Sequence, residues 1–91
     1  MEDNKFNEIW ETVNGLLINA KDILLEKKYI IDNEQLSDFY EYLNNNEFEL
    51  ACDELYEIIN EMKNEIVDVK YLLKRAYQEI GLNKKANSIQ L

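Results

Sequence analysis

Residues 41–59 read EYLNNNEFELACDELYEII, and the spacing inside them decides the fold. Phe48, Ala51, Cys52, Leu55, Ile58 and Ile59 recur at three- and four-residue intervals, the period of one helix face rather than the alternation of a strand. Met62 extends the same inward stripe. Ahead of it, Asn44-Asn45-Asn46 ends an earlier helix, because Asn tolerates left-handed and turn conformations, and Asn46 is placed to cap the helix that follows.

The same period runs outward in both directions. Leu36, Phe39, Tyr40 and Leu43 give a short second helix that Asp32 or Asn33 can cap. Phe6, Ile9, Trp10, Val13, Leu16, Leu17, Ala20 and Leu24 give a long first helix, capped by Asp3 or Asn4 and fraying near Lys27-Lys28. Gly15 lies off that stripe and costs about 1 kcal/mol relative to Ala. Asn64 opens a fourth helix with Ile66, Val69, Leu72, Leu73, Ala76, Tyr77 and Ile80 inward, and Gly81 suits the position just past its end. With no Pro and two Gly, the chain lacks the turn punctuation of β proteins. The expectation is an all-α, single-domain antiparallel bundle of about four helices over residues 1–91, with 1–3 and 84–91 frayed.

Composition narrows the function classes. A chain of 91 residues buries about 60–65% of its unfolded surface, which leaves little room for an enclosed substrate cavity. There is no His, so the usual general base, the Ser-His and Cys-His nucleophile pairs and nearly every zinc site are missing. Cys52 is the single cysteine and sits on an apolar stripe, where an inert buried thiol is expected. No enzyme activity, cofactor or metal is expected. No apolar run reaches the roughly 18 residues of a membrane span, and Met1-Glu2-Asp3-Asn4 is acidic where a signal peptide is basic, so the expected compartment is cytoplasmic.

Nineteen acidic against ten basic residues give a net charge of −9, which disfavours nucleic acid as a partner. The charge is unevenly placed: residues 32–62 carry ten acids and no base, whereas residues 63–91 carry six bases against three acids, or +3. At about 100° per residue, Glu34, Asp38 and Glu41 lie opposite the inward stripe of the second helix with Tyr42 beside them. Asp53, Glu57 and Asn60 share the outward face of the third, with Tyr56 on its flank and Glu49 one turn earlier. These nine residues define an expected acidic, tyrosine-containing binding face. Glu49/Asp53 and Asp53/Glu57 repel at i,i+4, with nothing basic nearby in sequence, and a basic partner relieves that repulsion. Leu50, Val67 and Tyr71 fall outside the inward stripes. Leu50 is expected to pack beneath a loop or against the first helix; Val67 and Tyr71, flanked by Lys70, Lys74 and Arg75, offer a second contact patch or a homodimer seam, so a monomer or weak homodimer is expected.

The segment LSDFYEYLNNNEFELACDELYEII, residues 36–59, followed by YQEIGLN at 77–83, resembles the small all-helical immunity proteins of bacterial polymorphic toxin systems, the MafI-like group. The residues carrying the resemblance are Tyr42-Leu43, Glu47-Phe48-Glu49-Leu50-Ala51 and Gly81-Leu82, within about half the chain, roughly 34–83. The first helix departs from the group in being longer and more hydrophobic. The resemblance implies a cytosolic antidote that binds one cognate secreted toxin, frequently a nuclease. A nuclease cleft is positive because it binds phosphates, so an acidic face gains association rate by steering and competes with nucleic acid for that cleft.

Two other readings belong beside this one. A helical adaptor or regulator docking an unrelated basic partner carries the same sequence features. Glu54-x-x-Glu57 followed by Glu65-x-x-Asp68 looks like the metal-binding pattern of all-α nucleotide pyrophosphohydrolases, but the gap from Ile58 to Asn64 is short and no base lies near to hold phosphates.

Overall fold

The structure, a computed structural model, describes the backbone of residues 2–29, 33–62 and 66–91 and the side chains of 8–29, 34–62 and 66–91. Its elements are α1 (Glu2–Glu26), a 3-10 turn (Asn33–Leu36), α2 (Ser37–Asn44), α3 (Phe48–Asn60), α4 (Val67–Glu79) and α5 (Asn83–Ser88). No strand occurs among the described residues, and the chain is an all-α bundle.

Twenty-five residues at about 1.5 Å rise make α1 about 37 Å long, which accounts for most of the 44 Å long axis of a molecule measuring 44 × 27 × 18 Å. Its buried residues Val13, Leu17, Ala20 and Leu24 are spaced four, three and four apart, a narrow seam. The largest helix–helix interface is between α1 and α4, where Val69, Leu73 and Ala76 repeat that spacing. The second largest joins α2 to α3, with Phe39 and Leu43 on one side and Phe48, Ala51, Cys52, Leu55 and Ile59 on the other. All these residues belong to one hydrophobic core, and no polar or charged residue is buried among those described. No described helix is long and apolar enough to cross a membrane.

Three helices end in the same way. After α1, Tyr29 N–H reaches the Leu24 carbonyl at 2.9 Å and Lys28 N–H that of Leu25 at 3.1 Å, with Lys28 at φ 61°. After α2, Glu47 donates to Tyr42 at 2.8 Å and Asn46 to Leu43 at 3.1 Å, with Asn46 at φ 57°. After α4, Leu82 donates to Tyr77 at 2.9 Å and Gly81 to Gln78 at 3.0 Å, with Gly81 at φ 81°. Each is a Schellman motif, in which one left-handed residue turns the chain back to satisfy the last carbonyls. Gly81 therefore stands where the sequence placed it.

Two expectations change here. The end of α1 at Lys27-Lys28 is capped rather than frayed. Asn46 does not cap α3: it closes α2 in the left-handed conformation, and the residue preceding α3 is Glu47, with no side-chain capping bond. The α4 cap expected at Asn64 and the α2 cap at Asp32 lie outside the described residues, and Asp3 and Asn4 lie within α1.

The largest correction concerns the C-terminal tail, expected to fray over 84–91. It folds as α5, with Ala86 fully buried and Ile89 only 2% exposed. Leu82, Ala86 and Ile89 recur at i, i+4 and i+7, and this short stripe packs α5 against α4. Trp10, assigned to the inward stripe of α1, is 41% exposed instead, its ring 6.4 Å from that of Phe48. Leu50, expected to pack beneath a loop or against α1, is 45% exposed and borders a concavity with Ile80 and Leu82.

Candidate functional site

The nine residues of the expected acidic face are not brought together as one surface. Helix α3 carries its polar residues on two flanks, because 49, 53, 56 and 60 follow i, i+4, i+7, i+11 and keep one line, whereas Glu54 and Glu57 lie further round. The first line faces α4 and α5, and the second turns toward α2.

On the first line, Lys85 of α5 reaches over α3. Its Nζ lies 2.8 Å from Glu49 Oε2 and 3.1 and 3.0 Å from the two oxygens of Asp53. Tyr77 of α4, itself 1% exposed, donates its hydroxyl to Asp53 Oδ1 at 2.6 Å, and Lys85 sits 6.0 Å from the Tyr77 ring centroid. Hydrogen bonds to Glu49 and then to Asp53 raise Lys85 above the ordinary lysine range. Burial, followed by the Asp53 hydrogen bond, pushes the Tyr77 phenol far above the ordinary tyrosine value. The sequence reading that nothing basic offsets the Glu49/Asp53 repulsion is therefore overturned, because a lysine 32 residues beyond Asp53 supplies the countercharge. Further along this line, half-buried Tyr56 and exposed Asn60 border a cleft of about 180 Å³ completed by Lys70, Ser88, Ile89 and Gln90.

The second flank forms an acidic patch with α2. Asp38 and Glu41 are exposed there, Tyr42 is half-buried and Glu57 is exposed. Burial and then the charges of Asp38, Glu54, Glu41 and Glu47 raise the Tyr42 phenol above its ordinary value. Burial and then the neighbouring Asp38 and Glu57 raise the Glu54 carboxyl. These shifts place Asp38, Tyr42 and Glu54 in one electrostatic neighbourhood spanning α2 and α3, so Glu54 joins a face from which the sequence reading had left it out. None of the ion pairs among the described residues involves Asp38, Glu41, Glu54 or Glu57. Glu34 lies exposed in the 3-10 turn ahead of α2.

Among the described residues, Asp68 and Cys52 are the other two groups whose surroundings shift them. Asp68 is paired with Lys27 at 3.3 Å, and its own backbone hydrogen bond and then Lys27 lower its carboxyl below the usual range. Of the Glu54/Glu57/Glu65/Asp68 pattern, Asp68 thus meets Lys27, and Glu65 lies outside the described residues. Among the described residues no group of His, Cys, Asp or Glu has the arrangement of a metal site. Cys52 is fully buried, and burial followed by the Asp53 charge pushes its thiol up to about 12.

What sequence reasoning missed is carried by the tail. Lys85 and the Tyr77 hydroxyl complete Asp53, and the Leu82, Ala86, Ile89 spacing is the signal that placed Lys85 beside α3. The fold and the site together define a small all-α bundle with an acidic face on α2 and α3 whose Asp38, Glu41, Glu54 and Glu57 take part in no ion pair among the described residues. No family profile, characterised protein or solved structure matches the chain.

Proposed function

We propose that the chain is an immunity-type binding protein that neutralises a basic protein toxin, a nuclease being the class that fits best, through the α2–α3 face. One contrast carries this reading. Glu49 and Asp53 receive Lys85 from within the chain, whereas Asp38, Glu41, Glu54 and Glu57 have no ion-pair partner among the described residues and surround half-buried Tyr42. Unrelieved like charge is a standing cost that a cationic partner removes on binding, and a half-buried tyrosine supplies rigid contact area with little entropy to lose. The resemblance of residues 34–83 to small helical immunity proteins points the same way.

The test uses the product of the gene immediately upstream, where a toxin gene is expected. That protein is co-expressed with the chain, its toxicity is scored, and association is measured at about 50 and 300 mM salt. Glu41→Lys together with Glu57→Lys is expected to slow association at least tenfold at low salt, and the difference shrinks as the screening length falls below about 8–10 Å. An upstream product that is neither toxic nor bound refutes the immunity reading. A non-toxic basic protein bound through the same residues makes the chain an adaptor instead.

A further inference from the structure

Two shallow concavities open at the end of the bundle where α3 begins, and they share Asn46 and Phe48. The larger, about 420 Å³, is also lined by Leu50, Ile80 and Leu82; the smaller, about 240 Å³, reaches Trp10. Phe48 is 6% exposed and forms the floor, while Trp10 and Leu50 stand on either side of it as two of the five large hydrophobics exposed among the described residues. The Trp10 ring lies 6.4 Å from Phe48 at a 47° tilt, a contact that holds the indole in place before anything binds. Contiguous apolar surface with a polar rim marks a place where another molecule docks.

The rim identifies the kind of molecule. Glu11, Glu47 and Glu49 line the concavities, Glu49 is already paired with Lys85, and no basic side chain among the described residues lines either one. A second copy of this chain fits badly, because a self-complementary contact brings two rims carrying Glu11 and Glu47 together on molecules that each have a net charge of −9. An anionic lipid surface or nucleic acid meets the same repulsion.

We propose that this end of the bundle docks a partner-protein segment whose large apolar side chain fills the Phe48 concavity while flanking lysines or arginines meet Glu11 and Glu47. This is a surface separate from the α2–α3 face, and the sign of those flanking charges follows from Glu11 and Glu47 rather than from the toxin reading. Apolar anchoring at the centre and charge at the rim is the usual division of labour in a specific interface.

The experiment titrates the full ¹⁵N-labelled chain with three synthetic amphipathic peptides. The first carries Leu and Trp one helical turn apart flanked by lysines, the second replaces the lysines with glutamates, and the third replaces Leu and Trp with alanines. Expected are saturable shifts at the Trp10 indole and the Phe48, Leu50 and Leu82 amides with the first peptide, and at least tenfold weaker binding of the other two. Leu50→Ser, at an exposed position, lowers the melting temperature by only a few degrees and weakens the first peptide at least fivefold; Glu47→Gln weakens it at least threefold. Equal binding of the glutamate peptide, or indifference to Leu50→Ser, overturns the proposal. So does self-association of the free chain that shifts these same resonances, which would make the occupant a second copy. If the lysine peptide instead moves only Asp38, Glu41, Tyr42 and Glu54, this inference fails while the α2–α3 reading survives. Shifts confined to Trp10, Phe48, Leu50 and Leu82 support this inference, and the α2–α3 reading then stands or falls on the toxin experiment alone.

Discussion

Replacing Tyr77 with Phe deletes one oxygen and keeps the ring, so it isolates the hydrogen bond that ties α4 to α3. The hydroxyl lies 2.6 Å from Asp53 Oδ1 in a residue only 1% exposed. A hydrogen bond to a charged partner contributes about 1.5–3 kcal/mol. Asp53 keeps Lys85 at 3.1 and 3.0 Å after the change and is partly open to water, so the expected loss falls to the bottom of that range or just below it, about 1–1.5 kcal/mol. For a domain of this size that lowers the melting temperature by about 5–10 °C. Urea denaturation followed by circular dichroism at 222 nm measures it directly. The pH dependence supplies a sharper check. Tyr77 holds its proton more tightly in the folded protein than the unfolded value of about 10. Its contribution is therefore complete below pH 10 and is lost as pH rises, because the unfolded chain releases a proton the folded chain retains, at about 1.4 kcal/mol per pH unit. The five other tyrosines are common to both proteins and cancel in the difference. The deficit of Tyr77→Phe is expected to stay constant from pH 6 to 9 and to shrink toward zero near pH 11. A deficit under about 0.3 kcal/mol, or one that persists unchanged to pH 11, shows that the Tyr77–Asp53 contact does not hold these helices together.

Two further perturbations probe the fold. Ile89→Ala, at 2% exposure, is expected to cost about 2–4 kcal/mol and to increase proteolysis after Lys84 and Lys85, whereas a frayed tail would leave both unchanged. Gly15→Ala adds a methyl group where nothing lies within 4 Å on an exposed helix interior, and is expected to raise stability by about 0.5–1 kcal/mol in the same urea measurement.

The acidic patch and the Phe48 concavity lie on different parts of the same helix, and α3 connects them. Its buried stripe is fixed by Ala51, Cys52, Leu55 and Ile59, which leaves its two polar flanks with separate neighbours. One flank meets α4 and α5, where Tyr77 and Lys85 complete it. The other meets α2, which is itself acidic, so charge accumulates there. Glu47 precedes α3 at the rim of the concavity and also acts on Tyr42, which places the two surfaces within reach of one partner.

The helices were readable from local spacing, because apolar period and left-handed turn residues act over three or four positions and need no knowledge of the rest of the chain. The stripes of α1, α3 and α4 and the left-handed stop at Gly81 were legible for that reason. Cys52 was legible as a buried thiol on the same grounds. Tertiary structure alone decided which charges are neutralised. Lys85 lies 32 positions from Asp53 and 36 from Glu49, and no local pattern pairs residues so far apart. It also decided that Trp10 and Leu50 stay exposed, since a residue on the edge of an apolar stripe is buried only if a neighbouring element reaches it. Spacing fixes the direction in which a side chain points along its own helix; whether water, a lysine or another helix meets it there is set by the packing of the whole chain.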